Sequence, residues 1–254
     1  MPYHTQRNGA FSLVELSIIL AVLGLLVGGI MAGTALLKQS ELKTILVDFN
    51  KYSTAVAQFN KQYGGLPGDL LDATNYWGDD NAVCADAAVT NGTPGTCNGD
   101  SDGDMSDGAE PYRAWQQLFL ANYIGGNFTG VASAGGAVPN TNVPDSNITS
   151  AGWSFGNKAA TVANANDFDQ ALSNYLAIGR PIAAALTQAA AITPRDAWQV
   201  DTKLDDGMPG LGRIMTRKPA ALAGCATSDV DATATYTMTS ESIACSLNMS
   251  LTLK

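Results

Sequence analysis

Hydrophobic and polar positions divide the chain into distinct regimes. From Leu16 to Leu37, 22 residues pass without a charge. About 20 apolar residues cross a bilayer core as a helix, so this run predicts a membrane-spanning segment. Beyond it, Leu42, Ile45, Phe49, Tyr52, Val56, Phe59 and Tyr63 recur at alternating steps of three and four. That spacing lines one face of an α-helix. Lys43, Asp48, Lys51, Gln58 and Lys61 fall on the other faces, and Gly64-Gly65 followed by Pro67 ends the pattern. The prediction is one continuous helix from about Phe11 to Tyr63, apolar all round in its first half and amphipathic in its second. At 1.5 Å per residue it would be roughly 80 Å long. Near the C-terminus the period changes to two: Cys245, Leu247, Met249, Leu251 and Leu253 alternate with Ser, Asn, Ser and Thr, a half-buried strand. Thr233 to Thr239 and Arg213 to Thr216 are weaker strand candidates. An antiparallel sheet of at least three strands, packed on the helical stripe, buries both apolar faces and gives an α+β fold.

The middle of the chain is less regular. Residues 64–110 are turn chemistry, as in Leu66-Pro67-Gly68-Asp69 and Asn98-Gly99-Asp100-Ser101-Asp102-Gly103-Asp104. Arg113 to Tyr123 reads as a short helix with Trp115, Leu118 and Phe119 inward. Residues 125–165, rich in Gly, Ala, Asn, Thr and Ser, read as a long surface excursion. Residues 167–191 suggest one or two Ala-rich helices broken at Gly179-Arg180-Pro181. Thr193-Pro194-Arg195-Asp196 is a helix start, with Thr as N-cap and Pro in the first turn. That helix should end near Asp205-Asp206-Gly207.

Composition narrows the function. The 254 residues carry a net charge of −9, and an acidic balance lacks the basic footprint of a nucleic-acid binder. No enzyme is indicated. The single histidine is His4, so a globular part beyond the helix has no imidazole base, and there is no Gly-rich phosphate loop. The four cysteines, Cys84, Cys97, Cys225 and Cys245, all follow the apolar run. An oxidising compartment would pair them, in one of three connectivities. The sequence-local one, Cys84–Cys97 with Cys225–Cys245, is favoured. A zinc site has no C-x-x-C spacing and no histidine beside it.

One loop carries candidate chemistry. Asn98, Asp100, Asp102 and Asp104 alternate, with Gly103 between them and Asp107 and Glu110 just beyond. Oxygen ligands at alternate positions around a Gly turn are the opening of an EF-hand-type calcium loop. Counted from Asn98, however, the twelfth position is Ala109, and Glu110 comes one residue late. The expectation is a calcium-binding loop that is not an EF-hand, set against a solvated acidic turn. A second acidic group, Asp201, Asp205 and Asp206, fits a helix-to-strand turn.

The start of the chain is the most specific signal. Glu15 sits at the lip of the apolar run, where a carboxylate in the membrane would cost roughly 2.5–3.5 kcal/mol on insertion scales. A secretory signal peptide would have a shorter apolar core of about 7–15 residues, and a plain anchor leaves Glu15 unexplained. A polar leader, then Gly9-Ala10, then Phe11-Ser12-Leu13-Val14-Glu15-Leu16, resembles the cleavage and methylation segment of type IV pilins and type II secretion pseudopilins. The resemblance covers about residues 7–37. It implies a leader at 1–10, a transmembrane or filament-core helix at 11–37 and a periplasmic or extracellular pilin-like domain at 38–254, with 38–63 continuing the helix.

The resemblance implies processing at Gly9, Ala10 and Phe11 by prepilin peptidase. Cleavage after Ala10 leaves Glu15 fifth, the usual family spacing. Cleavage after Gly9 restores the preferred Gly but places Glu15 sixth. In the family this glutamate pairs with the N-terminal amine of a neighbouring subunit, which offsets the burial of each charge. Gly24, Gly28, Gly29 and Gly33 form small-x-x-x-small pairs that let helices approach closely. There is no proline between Pro2 and Pro67, a departure from members that kink this helix. The implied function is a structural subunit, held in the bacterial inner membrane by a single pass and then polymerised with other pilin subunits through the inner-membrane assembly platform. The alternative is a minor, tip-located subunit for adhesion or uptake, displaying residues 125–165. Calcium sites occur in some pseudopilins, which adds to the reading of the acidic loop.

Overall fold

The computed structural model describes residues 12–79, 84, 95–133, 135–158 and 164–251. In chain order the elements are α1 (Leu13–Tyr63), α2 (Thr74–Trp77), α3 (Glu110–Leu120), β1 (Gly152–Lys158), β2 (Leu172–Gly179), α4 (Pro194–Leu204), β3 (Ile214–Met215) and β4 (Leu247–Ser250). The chain forms two compact units, Met1–Lys43 and Thr44–Lys254.

The first unit, where described, is the opening stretch of α1. Its start is a capping box. Ser12 Oγ accepts the Val14 N–H at 3.3 Å, and Glu15 Oε2 accepts the Ser12 N–H at 2.9 Å. Apolar side chains then stand exposed all round, Leu13 at 85 %, Leu25 at 77 % and Leu36 at 71 %. An 18-residue window of the helix has a mean hydropathy of 2.5 with none of it buried. The helix is long and apolar enough to cross a membrane, which suits a single-pass anchor.

The second unit is α+β. Its portion of α1 buries Ile45, Phe49, Tyr52, Val56 and Phe59 and half-buries Tyr63. The stripe meets α3 and the sheet through aromatic edges. Tyr52 packs edge-on against Trp115 of α3 at 4.9 Å and Trp153 of β1 at 5.7 Å, and Trp115 lies 4.2 Å from Phe155. Such contacts add to the area that the rings bury. Gly64 closes the helix at φ 76°, its N–H on the Asn60 carbonyl, the left-handed position that glycine takes without strain.

The sheet has four antiparallel strands in the order β1-β2-β4-β3. Its register pairs Trp153 with Ile178, Phe155 with Leu176, Leu176 with Met249 and Ile178 with Leu247. These side chains share the face toward Tyr52 and are buried. The opposite face is covered as well. Leu172, Tyr175, Ala177 and Met215 cluster there with Phe168, Ala226 and Ala234 from the loops.

That double covering explains two departures from the sequence pattern. Residues 172–179 form β2 rather than an Ala-rich helix. With both faces buried, Leu176-Ala177-Ile178 is an unbroken apolar run that loses the alternation of a strand. Residues 125–158 are not a surface excursion where they are described. They supply β1 and the buried Phe128, Val143, Ile148, Trp153 and Phe155. Fully buried Asn142 holds this stretch, accepting the Val138 N–H and donating to the Val131 and Gly136 carbonyls. Smaller differences follow the same physics. Helix α3 begins at Glu110, with Pro111 in its first turn, and Phe119 is only half-buried. Thr233 to Thr239 forms no strand, and Tyr236 makes an isolated bridge to Ala226. Helix α4 has the expected cap, Thr193 Oγ1 accepting the Asp196 N–H.

Candidate cation site

The acidic loop is folded onto the turn that follows α1. In that turn Gly68, at φ 88°, donates its N–H to Gln117 Oε1 at 2.7 Å, and Gln117 Nε2 donates to the Cys97 carbonyl at 3.2 Å. The Gly99 N–H reaches the Leu70 carbonyl, and the Ser101 N–H reaches the Asp69 carbonyl. Backbones touch here. A Cβ on Gly99 would lie 2.4 Å from the Asp69 Cα, so only glycine fits.

Asp69 is the hub of the arrangement. It is 3 % exposed, and its two carboxylate oxygens accept the Asp102 and Gly103 N–H groups at 3.1 and 3.0 Å. Burial raises its pKa, against the lowering effect of the backbone N–H donors. Oxygens of Asp69, Asp100 and Asp102 lie within 4.8 Å of one another. Glu110, the first residue of α3, is 4 % exposed. It accepts the Asp100 N–H, while burial, then the charges of Asp69 and Asp100, push its carboxyl up to about 8. Its Oε2 is buried with no hydrogen-bond partner.

The alternation of acids has its own local cause. Asp100 Oδ1 accepts the Asp102 N–H, Asp102 Oδ1 the Asp104 N–H, and Asp104 Oδ1 the Ser106 N–H. These are consecutive Asx turns, which use one carboxylate oxygen of each aspartate. The loop is then latched to the sheet at the β1–β2 bulge. Asn174, at φ 42°, accepts the Met105 N–H and donates to the Gly103 carbonyl. Asn157 donates to Asp104 Oδ2 at 2.5 Å.

Of the residues expected as ligands, the structure gathers Asp100 and Asp102 with Asp69, while Glu110 accepts the Asp100 N–H without joining that group of oxygens. The others do different work. Asn98 Oδ1 accepts the Thr74 N–H at the start of α2, Asp104 faces Asn157, and Asp107 is exposed with its carbonyl accepting the Glu110 N–H. Asp69 was not expected, because it stands 31 positions before Asp100 in a segment legible only as a turn.

Cys84 pairs with Cys97 and Cys225 with Cys245. Asp201, Asp205 and Asp206 also cluster, but as acceptors. Asp201 takes the Tyr236 hydroxyl and the Gly207 N–H, Asp205 the N–H groups of Arg213 and Ile214, and Asp206 that of Met208. They join the end of α4 to β3. Gly9, Ala10 and Phe11 lie outside the described residues, and Glu15 caps α1 as above. Comparison with protein-family models, with curated proteins and with solved structures returns no match for this chain.

Proposed function

We propose that the chain is a structural subunit of a type IV filament, a pilin or pseudopilin, polymerised through α1. The observation that carries this reading is the division of labour along one helix. Its first stretch is uncharged from Leu16 to Leu37 and unburied, and its last four turns form core in an α+β unit. A helix apolar on all sides needs lipid or other helices around it. A filament supplies the second after the membrane has supplied the first.

On this reading prepilin peptidase removes residues 1–10 at the cytoplasmic face of the bacterial inner membrane. The new N-terminus is methylated, and the assembly platform extracts the subunit into a periplasmic or extracellular filament. Glu15 then pairs with the amine of a neighbouring subunit. The capping box uses Glu15 Oε2, so the carboxylate has a second oxygen for that amine. The alternative is a minor, tip-located subunit for adhesion or uptake displaying residues 125–165, a segment whose described part also contributes Phe128, Val143 and Trp153 to the core.

Co-expression with an active prepilin peptidase, followed by mass spectrometry of the N-terminus, tests the proposal. The expected product begins with methylated Phe11. A chain that keeps residues 1–10 beside a peptidase that cleaves a control prepilin would overturn it.

A further inference from the structure

We propose that the cleft between the loop after β2 and the segment after β3 binds a small molecule carrying one carboxylate on an apolar body, held by Arg217. The inference is independent of filament assembly. The cleft has a volume of about 490 Å³, within the range of about 300–1,000 Å³ that ligand sites occupy. Its apolar wall comes from Ile182 on the first segment and from Ala221 and Leu222 on the second. Its polar groups are Arg217, Gln188 and Asn166. Ligand sites have this make-up, an apolar lining with a few polar groups that fix orientation.

Arg217 distinguishes the cleft from a wet groove. Among the described residues that line it, Arg217 alone is charged. Its side chain is 13 % exposed, and its Nε donates to Asp167 Oδ1 at 3.1 Å. No acceptor among the described residues takes either Nη group, and neither is sealed off from solvent. The guanidinium is thus held at Nε and keeps its Nη donors for a ligand, in the planar pair that suits a carboxylate. Lys218 is engaged elsewhere, its Nζ donating to Asp169 Oδ1 at 2.8 Å and to the Asn164 carbonyl at 3.2 Å. One cation with Asp167 beside it leaves little net positive charge, which suits a monoanion better than a phosphate dianion.

The second polar group is also fixed. Gln188 Nε2 donates to the Tyr175 hydroxyl at 2.8 Å and to Asn248 Oδ1 at 3.4 Å. That leaves Gln188 Oε1 as an acceptor with no donor among the described residues. The loop that carries it is closed by paired backbone bonds between Arg180 and Ala189, and the Ile182 N–H reaches the Leu186 carbonyl. A site built from groups already held in place loses little freedom on binding. Donors on Arg217, an acceptor on Gln188 and an apolar wall complement a carboxylate, an N–H and an aliphatic side chain. An N-acylated apolar amino acid carries all three.

The test uses the full chain in detergent with N-acetyl-leucine as the probe, binding being read by saturation-transfer NMR and calorimetry. N-acetyl-leucine should bind saturably at millimolar concentration. N-acetyl-leucinamide, which lacks the carboxylate, should bind at least tenfold more weakly, and so should N-acetylglycine, which lacks the apolar body. Inorganic phosphate should not displace the probe. Arg217→Gln should weaken binding at least tenfold. Because that change also breaks the pair with Asp167, Ala221→Phe is the companion variant. It fills the cleft, leaves Arg217 in place, and should abolish binding while the circular dichroism spectrum is kept. No saturable binding of N-acetyl-leucine at tens of millimolar would overturn the site. So would equal binding of the amide, or binding that survives in both variants. Equal binding of N-acetylglycine, or displacement by phosphate, would overturn the class of ligand.

Discussion

The Tyr236 hydroxyl donates to Asp201 Oδ2 at 2.9 Å, and both side chains lie within the second unit, Asp201 with no exposed surface. Burial pushes the Asp201 carboxyl up to about 7, against the lowering effect of that hydrogen bond, with Asp205 and Asp206 adding to the rise. The pKa is raised on folding, so the native state holds a proton that the unfolded chain releases near pH 4. Stability from this group is therefore full below about pH 4. It is lost as pH rises from there through 7, at about 1.4 kcal/mol for each step of one in pH. Denaturant midpoints measured from pH 4 to 8 should fall with pH. Asp201→Asn should reduce that slope, and an unchanged slope would assign it to other groups.

Trp153 is fully buried between Tyr52 of α1 and the neighbouring strand β2. Trp153→Ala should cost about 3–5 kcal/mol, read as a shifted unfolding midpoint. A loss below 1 kcal/mol would mean that α1 and the sheet do not depend on this contact.

Glu15 closes the capping box and, under the proposed function, also pairs with a neighbouring amine, and substitution can separate the two. Glutamine still closes a capping box but has no charge for an amine partner. If charge pairing drives assembly, Glu15→Gln and Glu15→Ala should both deplete filaments at equal membrane levels of subunit. Normal filaments from Glu15→Gln would reduce the role of Glu15 to the cap.

Cys225–Cys245 spans 20 positions and brings the approach to β4 against the segment after β3. Loss of a bond closing a loop of this size removes roughly 3 kcal/mol. A Cys225→Ala/Cys245→Ala variant should show that loss in equilibrium unfolding, whereas Asp107→Asn should not.

Gly99→Ala should destabilise the second unit by about 1–3 kcal/mol, because the new Cβ would strike the Asp69 backbone. An unchanged unfolding midpoint would show that the close approach of the two backbones is dispensable.

How legible this molecule was in its sequence depended on how local each signal is. The helix from Leu13 to Tyr63 was readable because an uncharged apolar run passes directly into a three-and-four spacing from Leu42 to Tyr63, which ends at Gly64. The Thr193 cap and the β4 alternation were equally local. Strand β2 was not, because the face it turns away from Tyr52 is covered by loop residues such as Ala226 and Ala234, far along the chain. Strand β1 was hidden in a polar, Gly-rich stretch where single large residues such as Trp153 carry the burial. At the acidic loop the alternation pointed to Asp100 and Asp102. Asp69 has no signature of its own, and the burial that distinguishes Glu110 from Asp107 exists only once α3 is packed.

The strand order has a consequence for how the second unit is built. β4 is the last element along the chain but lies between β2 and β3, pairing with both. Until residues 247–250 arrive, β2 lacks one neighbour and β3 has none within the sheet. Completion of the sheet thus waits until residues 247–250 have been made, long after the apolar stretch of α1. Pairings so distant in sequence close slowly. β1 and β2 can pair before that point, and β4 is the strand that then joins β3 to them.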